Sequence, residues 1–178
     1  MKTNIALIGF MGTGKTAVGQ MLAGQLGLKF IETDSLVSAQ AGQSIPRIFQ
    51  EGGETAFREA EIRAVREAAR ERRAVIACGG GVVLNWINID RLRQTSVVVR
   101  LMATPAVTLK RVSREVGQRP LLEVGEPLAR IREMLKFREP FYQRAADVTV
   151  NTSRLGVTAV ADAIMTELKE HASFDWPK

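Results

Sequence analysis

The stretch Gly9-Phe10-Met11-Gly12-Thr13-Gly14-Lys15-Thr16 fits G-x-x-x-x-G-K-[ST] at every position. Its flanks decide what it means. Before it, Thr3 to Gly9 (TNIALIG) is a short apolar run ending in glycine, the pattern of a buried strand in a parallel sheet. After it, Lys15 to Leu26 carries Val18, Met21, Leu22 and Leu26 at helical spacing, and Gly27 is placed to end the helix. A strand, a glycine turn and a helix in that order make a cradle for phosphate. Glycines let backbone N–H groups converge on phosphate oxygens, and the helix points its positive end at the same place. Lys15 can reach the β- and γ-phosphates of a nucleoside triphosphate, and Thr16 offers a hydroxyl to Mg²⁺.

The rest of the chain repeats the strand–helix alternation. Further strands are expected at Lys29–Glu32, Ala74–Ala77, Ser96–Leu101 and Asp147–Val150. Helices are expected at Asp34–Ala41, in a short piece capped by Ser44 and broken by Gly52-Gly53, and at Glu54–Arg72 and Asn88–Gln94. More follow from Thr104-Pro105 to about Val116, over Leu128–Arg144 with a distortion at Pro140, and over Val157–Glu170. Gly117 to Pro127 reads as a loop, and the closing ASFDWPK as a frayed tail. The expected fold is α/β: three layers, α/β/α, around a five-stranded parallel sheet in one domain.

Composition narrows the class. The 178 residues are 46% hydrophobic and 25% charged, which excludes a disordered chain, and the single cysteine, Cys78, excludes an internal disulfide framework. No apolar run is long enough to span a membrane and MKTNIALIGF does not read as a signal peptide, so a cytoplasmic protein is expected. The net charge of +6 points to an anionic partner. GTPases carry D-x-x-G and N-K-x-D, and neither string occurs; Asn151-Thr152-Ser153-Arg154 lacks the Lys and the Asp. The third strand ends in Cys78-Gly79-Gly80-Gly81 rather than in an acid, unlike a motor ATPase. These absences favour a small-molecule kinase.

In a doubly wound sheet, ligands sit outside the carboxyl ends of the strands. Glu32 and Asp34 follow the second strand, Gly79-Gly80-Gly81 the third, and Arg58 lies on one helix face with Glu61, next to Phe57. Carboxylates, an arginine, open backbone and an aromatic wall suit a small polyhydroxylated anion.

These residues together resemble the shikimate kinases, within the nucleoside monophosphate kinase-like P-loop fold. The likeness runs from Gly9 to about Arg154. It comprises GFMGTGKT, the acidic pair after Phe30, Ser44-Ile45 to Phe49, and Gly53-Glu54 with Phe57-Arg58 and Glu61. It continues with the triple glycine and Val82-Val83, Arg119-Pro120-Leu121-Leu122, and Arg138 with Tyr142. The resemblance implies transfer of the γ-phosphoryl group of ATP to the 3-hydroxyl of shikimate, with Mg²⁺ as cofactor, in chorismate and aromatic amino-acid biosynthesis. By the same likeness, Lys15, Asp34 and Arg119 are the expected catalytic residues. Gly12, Thr13, Gly14, Lys15, Thr16, Ala17, Arg119 and Arg154 would bind ATP, with Arg154 by the adenine. Asp34, Arg58, Gly79, Gly80, Gly81 and Arg138 would bind shikimate: Asp34 its ring hydroxyls, the arginines its carboxylate, the glycines through backbone N–H groups. Thr16 and Glu32 would serve the metal. Glu32 is a departure, because the family places Asp-x-Asp here and this chain has Glu32-Thr33-Asp34. A water-bridged metal contact can absorb the extra methylene.

The resemblance also implies one kinase domain over 1–172, a mobile lid at about 113–127 carrying Arg119, a substrate-binding helical region at about 34–62, a tail at 173–178, and a monomer. From the residues alone, other readings stay open. These are a kinase for gluconate or a nucleotide, an inactive ligand sensor, and a nucleic-acid binder. The paired arginines and triple glycine argue against a nucleotide acceptor. The retained Lys15 and Asp34 argue against an inactive sensor. The absence of helix-turn-helix, zinc or aromatic RNA-binding signatures argues against nucleic acid. Neither nucleic acid nor a membrane is an expected partner. Lys15, Arg58, Arg119, Arg138 and Arg154 nearly account for the charge excess as ligands of two small anions.

Overall fold

In the computed structural model, which describes residues 1–113 and 126–176, alternation within the strands explains how one sheet carries two cores. Strand β1 (Asn4–Ile8) is buried at every position. Ile5 and Leu7 point into one core with Val75, Val97, Val99 and Leu101. Ala6 and Ile8 point into the other with Ile31, Ile76 and Val98. A side-chain period of two sends neighbours to opposite faces, so both faces must be covered by helices.

The remaining strands are β2 (Lys29–Glu32), β3 (Ala74–Ala77), β4 (Ser96–Met102) and β5 (Val148–Asn151). All pairings are parallel, in the order β2-β3-β1-β4-β5. On the first face lie α1 (Lys15–Leu26) and α7 (Val157–Glu170), through Val18, Leu22, Val160 and Ile164. On the second lie the end of α3 (Ile45–Ala68), then α4 (Trp86–Thr95) and α6 (Pro127–Ala145), through Val65, Ile89, Leu92 and Tyr142. Helix α5 (Pro105–Val112) follows β4. Helix α2 (Thr33–Ala41) packs on α3 around Val37, Ile48, Phe57 and Ala60, a small third core outside the sheet.

The expected three-layer α/β/α fold is observed, and the differences have local causes. The break expected at Gly52-Gly53 is a single non-helical residue, Gly53 (φ 69°, ψ −168°), inside one helix. That helix ends at Ala68 rather than Arg72, and Arg73 takes a left-handed φ of 57°. The buried Asn4 side chain fixes this turn, donating to the Glu71 carbonyl (2.7 Å) and accepting from the Ala74 N–H (3.0 Å). Helix α4 starts at Trp86 instead of Asn88, because Asn85 caps it by accepting from the Ile87 N–H. Helix α6 continues through Pro140. Asp147 lies before β5; its carboxylate accepts from the Val98 N–H (2.9 Å) and from Lys2 (3.2 Å).

The tail is not frayed over the described residues. Lys2 and Phe174 form a parallel bridge. Lys2 N–H donates to Ser173 (2.8 Å), and Asp175 N–H donates back to Lys2 (2.9 Å). Phe174 is buried in the first core, with the Trp176 ring edge-on at 5.9 Å. Two aromatic side chains supply apolar area that anchors this segment beside Lys2, just before β1.

Candidate active site

The strand order places the chemistry. Because β3 neighbours β1, the triple glycine lies directly beside the phosphate loop, and β2 sets Glu32 and Asp34 just beyond. The connection from β1 runs to β2 on one side and the connection from β3 runs to β4 on the other, so the neighbours β1 and β3 form a topological switch point, where such sheets open a crevice.

The loop itself needs its glycines. Gly9, Gly12 and Gly14 have φ of 148°, 71° and 91°. A Cβ on Gly9 would collide with the Leu101 carbonyl oxygen. Thr13 donates to the Phe10 carbonyl at 2.8 Å, and Lys15 folds over its own loop to the carbonyls of Gly9 (2.9 Å) and Phe10 (2.8 Å). Thr16 and Ala17 open α1 at the surface. Thr16 Oγ1 donates to Glu32 Oε1 at 2.5 Å, and Ser35 donates to the other Glu32 oxygen at 3.0 Å. The two residues expected to serve a metal therefore meet across the β1 and β2 ends. Among the described residues no three His, Cys, Asp or Glu side chains cluster to hold an ion alone. A hydroxyl and a carboxylate beside a phosphate cradle instead fit Mg²⁺, which binds few protein oxygens and shares the phosphates.

The acceptor wall is built on the glycines. A Cβ at Gly79 would stand 2.6 Å from Asp34 Oδ1 and 3.2 Å from Glu61 Oε1. A Cβ at Gly81 would overlap the Arg58 guanidinium, with Nη2 at 2.6 Å. Gly80 packs on the phosphate loop, where a Cβ would lie 3.5 Å from Met11 N. The three glycines thus make room for the acid, the loop and the arginine in turn. One expectation needs correction. The Gly79 N–H is already donated to Thr33 Oγ1 (2.9 Å), which leaves Gly79 as clearance for Asp34 rather than as a donor. Thr33, fully buried at the start of α2, was missed because an isolated threonine carries no signal.

Arg58 donates to Glu61 Oε2 (2.9 Å) and to Glu54 (3.1 and 3.2 Å), and lies 5.2 Å over the Phe57 ring. Phe57 is buried, while Phe49 stacks on it at 4.7 Å from the exposed side. Burial opposes the Arg58 charge, but its two glutamates outweigh burial and raise its pKa. Glu61 is 1% exposed. Burial pushes its carboxyl above the usual range despite Arg58. Its Oε1 is buried without a hydrogen-bond partner among the described residues, and lies against Gly79.

From the other side, α6 brings Arg138 and Tyr142. Arg138 is 9% exposed and lies 5.5 Å over the Phe10 ring. Arg138 Nη1 (3.3 Å) and the Tyr142 hydroxyl (2.6 Å) both donate to the Gly80 carbonyl. Burial pushes the Tyr142 phenol up to about 12, so it stays a donor.

Arg111 on α5 was also missed. It donates to the Gly12 carbonyl (3.1 Å) and to the hydroxyl (2.9 Å) and carbonyl (2.7 Å) of Thr152, tying the phosphate loop to the turn after β5. Arg154 is exposed on that turn. Arg119 lies outside the described residues. Cys78 is buried with its thiol pKa raised by burial, consistent with packing.

The shikimate kinase family model matches residues 11–169. This chain belongs to the shikimate kinase family. It is 49% identical over 162 residues to a shikimate kinase of Caldanaerobacter subterraneus subsp. tengcongensis, covering 91% of this chain and 94% of the relative. It is 44% identical over 169 residues to that of Moorella thermoacetica, covering 95% and 96%. Among solved structures, shikimate kinase from Acinetobacter baumannii in complex with shikimate superposes with a TM-score of 0.91 at 34% identity, covering 97% of this chain and 96% of that one. A gluconokinase from Sinorhizobium meliloti, at 18% identity and a TM-score of 0.60, shares the fold alone. The chain is accordingly a shikimate kinase-family enzyme: an ATP-binding transferase that phosphorylates shikimate in aromatic amino-acid biosynthesis. Among the described residues no helix is long and apolar enough to cross a membrane.

Proposed function

We propose that the γ-phosphoryl group of ATP passes to the 3-hydroxyl of shikimate across the crevice between the phosphate loop and the triple glycine. The observation that carries this reading is the convergence of Asp34, Arg58, Glu61 and Arg138 on Gly79–Gly81, with Gly80 against the loop. Asp34, in van der Waals reach of Gly79, orients the ring hydroxyls and accepts the proton of the attacking one. Arg58 and Arg138, from opposite sides, hold the carboxylate; a planar, permanently charged guanidinium can bond it through two parallel N–H groups. The free oxygen of Glu61 accepts a ring hydroxyl.

Gly12 to Ala17 cradle the phosphates. Lys15 leaves the loop carbonyls for the β- and γ-oxygens, which offer it full negative charge in place of carbonyl dipoles. Thr16 and Glu32, which meet beside the phosphate loop, would hold Mg²⁺. When bound, the ion neutralises phosphate charge during transfer. Arg154 lies by the adenine on a turn fastened to the loop through Thr152 and Arg111. Arg119, placed by resemblance on a lid spanning about 113–127, adds charge to the transferring group. The unit is one kinase domain over 1–172 with its substrate region at about 34–62 and the tail to Trp176 docked on it through Phe174, acting as a cytoplasmic monomer.

A coupled ADP-release assay with shikimate, gluconate and AMP as acceptors, followed by NMR of the product, tests the reading. ADP release with shikimate alone and phosphate on the 3-oxygen support it. Phosphate on another hydroxyl overturns the Asp34 assignment.

A further inference from the structure

Arg100 is the one charged residue of β4, a strand otherwise apolar after its first residue, Ser96, and it is 5% exposed. Its two terminal nitrogens donate to the two carboxylate oxygens of Glu139 on α6, at 2.8 and 2.6 Å. Such a fork fixes rotation as well as distance. Gln143 adds a third bond to Glu139 at 2.9 Å, and the Arg100 guanidinium lies 5.2 Å from the centre of the Tyr142 ring. Beside the pair, a cavity of about 320 Å³ is lined by residues of β4, α5 and α6 and reaches Phe10 and Thr13 of the phosphate loop. The ion pair joins α6 to β4 at the rim of this cavity, beside the place where Tyr142 packs into the second core.

The residues that flank Glu139 give the pair its consequence. Arg138 precedes it, and Tyr142 lies one turn on; both donate to the Gly80 carbonyl. Pro140 falls between them and removes one backbone hydrogen bond from α6. The helix is weakest where its two site residues need a fixed separation. We propose that Arg100 and Glu139 form a strut whose function is to set Arg138 and Tyr142 against Gly80. They are positioning residues that govern shikimate binding without touching shikimate. The inference rests on the reading of Arg138 as a ligand of the carboxylate.

The test compares Arg100→Leu, Arg100→Lys, Glu139→Gln and Arg138→Ala in steady-state kinetics with each substrate varied. Arg100→Leu suits a β-rich apolar strand and leaves Glu139 at the solvent edge, so the fold survives. It should raise KM for shikimate about tenfold, the scale of a ligand displaced by a fraction of an ångström, with KM for ATP unchanged. Arg100→Lys should restore much of the loss, and Glu139→Gln should move the same constant. The double variant of Arg100→Leu with Arg138→Ala decides the route: it should be no worse than Arg138→Ala alone, because the strut acts through Arg138. An unchanged KM for shikimate in Arg100→Leu, an equal rise in both KM values, or full additivity in the double variant overturns the strut while Arg138→Ala still reports on the carboxylate. If Arg138→Ala itself leaves KM for shikimate unchanged, the reading of Arg138 fails and the strut fails with it.

Discussion

The Thr16 hydroxyl reaches Glu32 at 2.5 Å, although the two residues close different strand ends. Glutamate adds a methylene to the aspartate usual in the family. Here it brings the carboxylate into direct contact with the hydroxyl that should face Mg²⁺. Glu32→Asp should lengthen that contact. The apparent Mg²⁺ affinity should change severalfold while KM for shikimate stays within about twofold. A titration of activity against free Mg²⁺ checks this; a larger shift in shikimate affinity removes Glu32 from the metal site.

Arg138 is the proposed ligand of the substrate carboxylate on the α6 side. Arg138→Ala should cost about 2 kcal/mol in kcat/KM, roughly thirtyfold, expressed mainly in KM for shikimate. Arg138→Lys should recover part, since a point charge replaces the fork. An unchanged KM places the carboxylate elsewhere.

The glycines separate two kinds of damage. At Gly79 a methyl group would meet Asp34 Oδ1 at 2.6 Å, so Gly79→Ala displaces the proposed proton acceptor and should lower kcat by about 10²-fold. At Gly81 the methyl meets the end of a flexible arginine, so Gly81→Ala should raise KM for shikimate with a smaller loss of kcat. Rate measurements at saturating ATP distinguish the two.

Acid stability should carry opposite contributions from two glutamates. Glu139 is held below its ordinary pKa by its bonds from Arg100, so its stabilisation is present above the unfolded pKa and is lost as pH falls through the folded one. Glu61 is raised by burial, so its contribution is present below the unfolded pKa and is lost as pH rises above 4.5 through the folded one. Urea melts across the acid range should show Glu139→Gln flattening the acid-side loss and Glu61→Gln flattening the decline toward neutrality. Unchanged profiles in both variants would show that neither pair is coupled to folding.

The docked tail should matter for stability and not for turnover. Phe174→Ala removes a ring buried in the first core at its margin and should cost about 2–3 kcal/mol, with both KM values unchanged. Thermal and urea unfolding measure the cost.

The motif from Gly9 to Thr16, the largely apolar β1 and the alternation of short β-branched runs with amphipathic helices were enough to specify a parallel α/β sheet with a phosphate cradle at one strand end. These are local properties. Backbone reach, side-chain period and glycine's freedom at positive φ act over a few residues and can be read along the chain. The candidate residues Lys15, Asp34, Arg58 and Arg138 were legible for a related reason, because their type and order matched a family. What they do to one another was not legible. The order β2-β3-β1-β4-β5 brings Gly80 beside the phosphate loop and to Tyr142, 62 residues away in sequence. Thr33 takes the Gly79 N–H, Arg111 joins two loops, Arg100 finds Glu139, and Phe174 pairs with Lys2. Each is a contact between distant segments, set by how helices pack on the sheet. Which groups are present, and which strand ends carry them, can be read along the chain. Tertiary structure decided which donors are spent and which remain for the substrate, because a buried polar group takes whatever partner packing brings within about 3 Å.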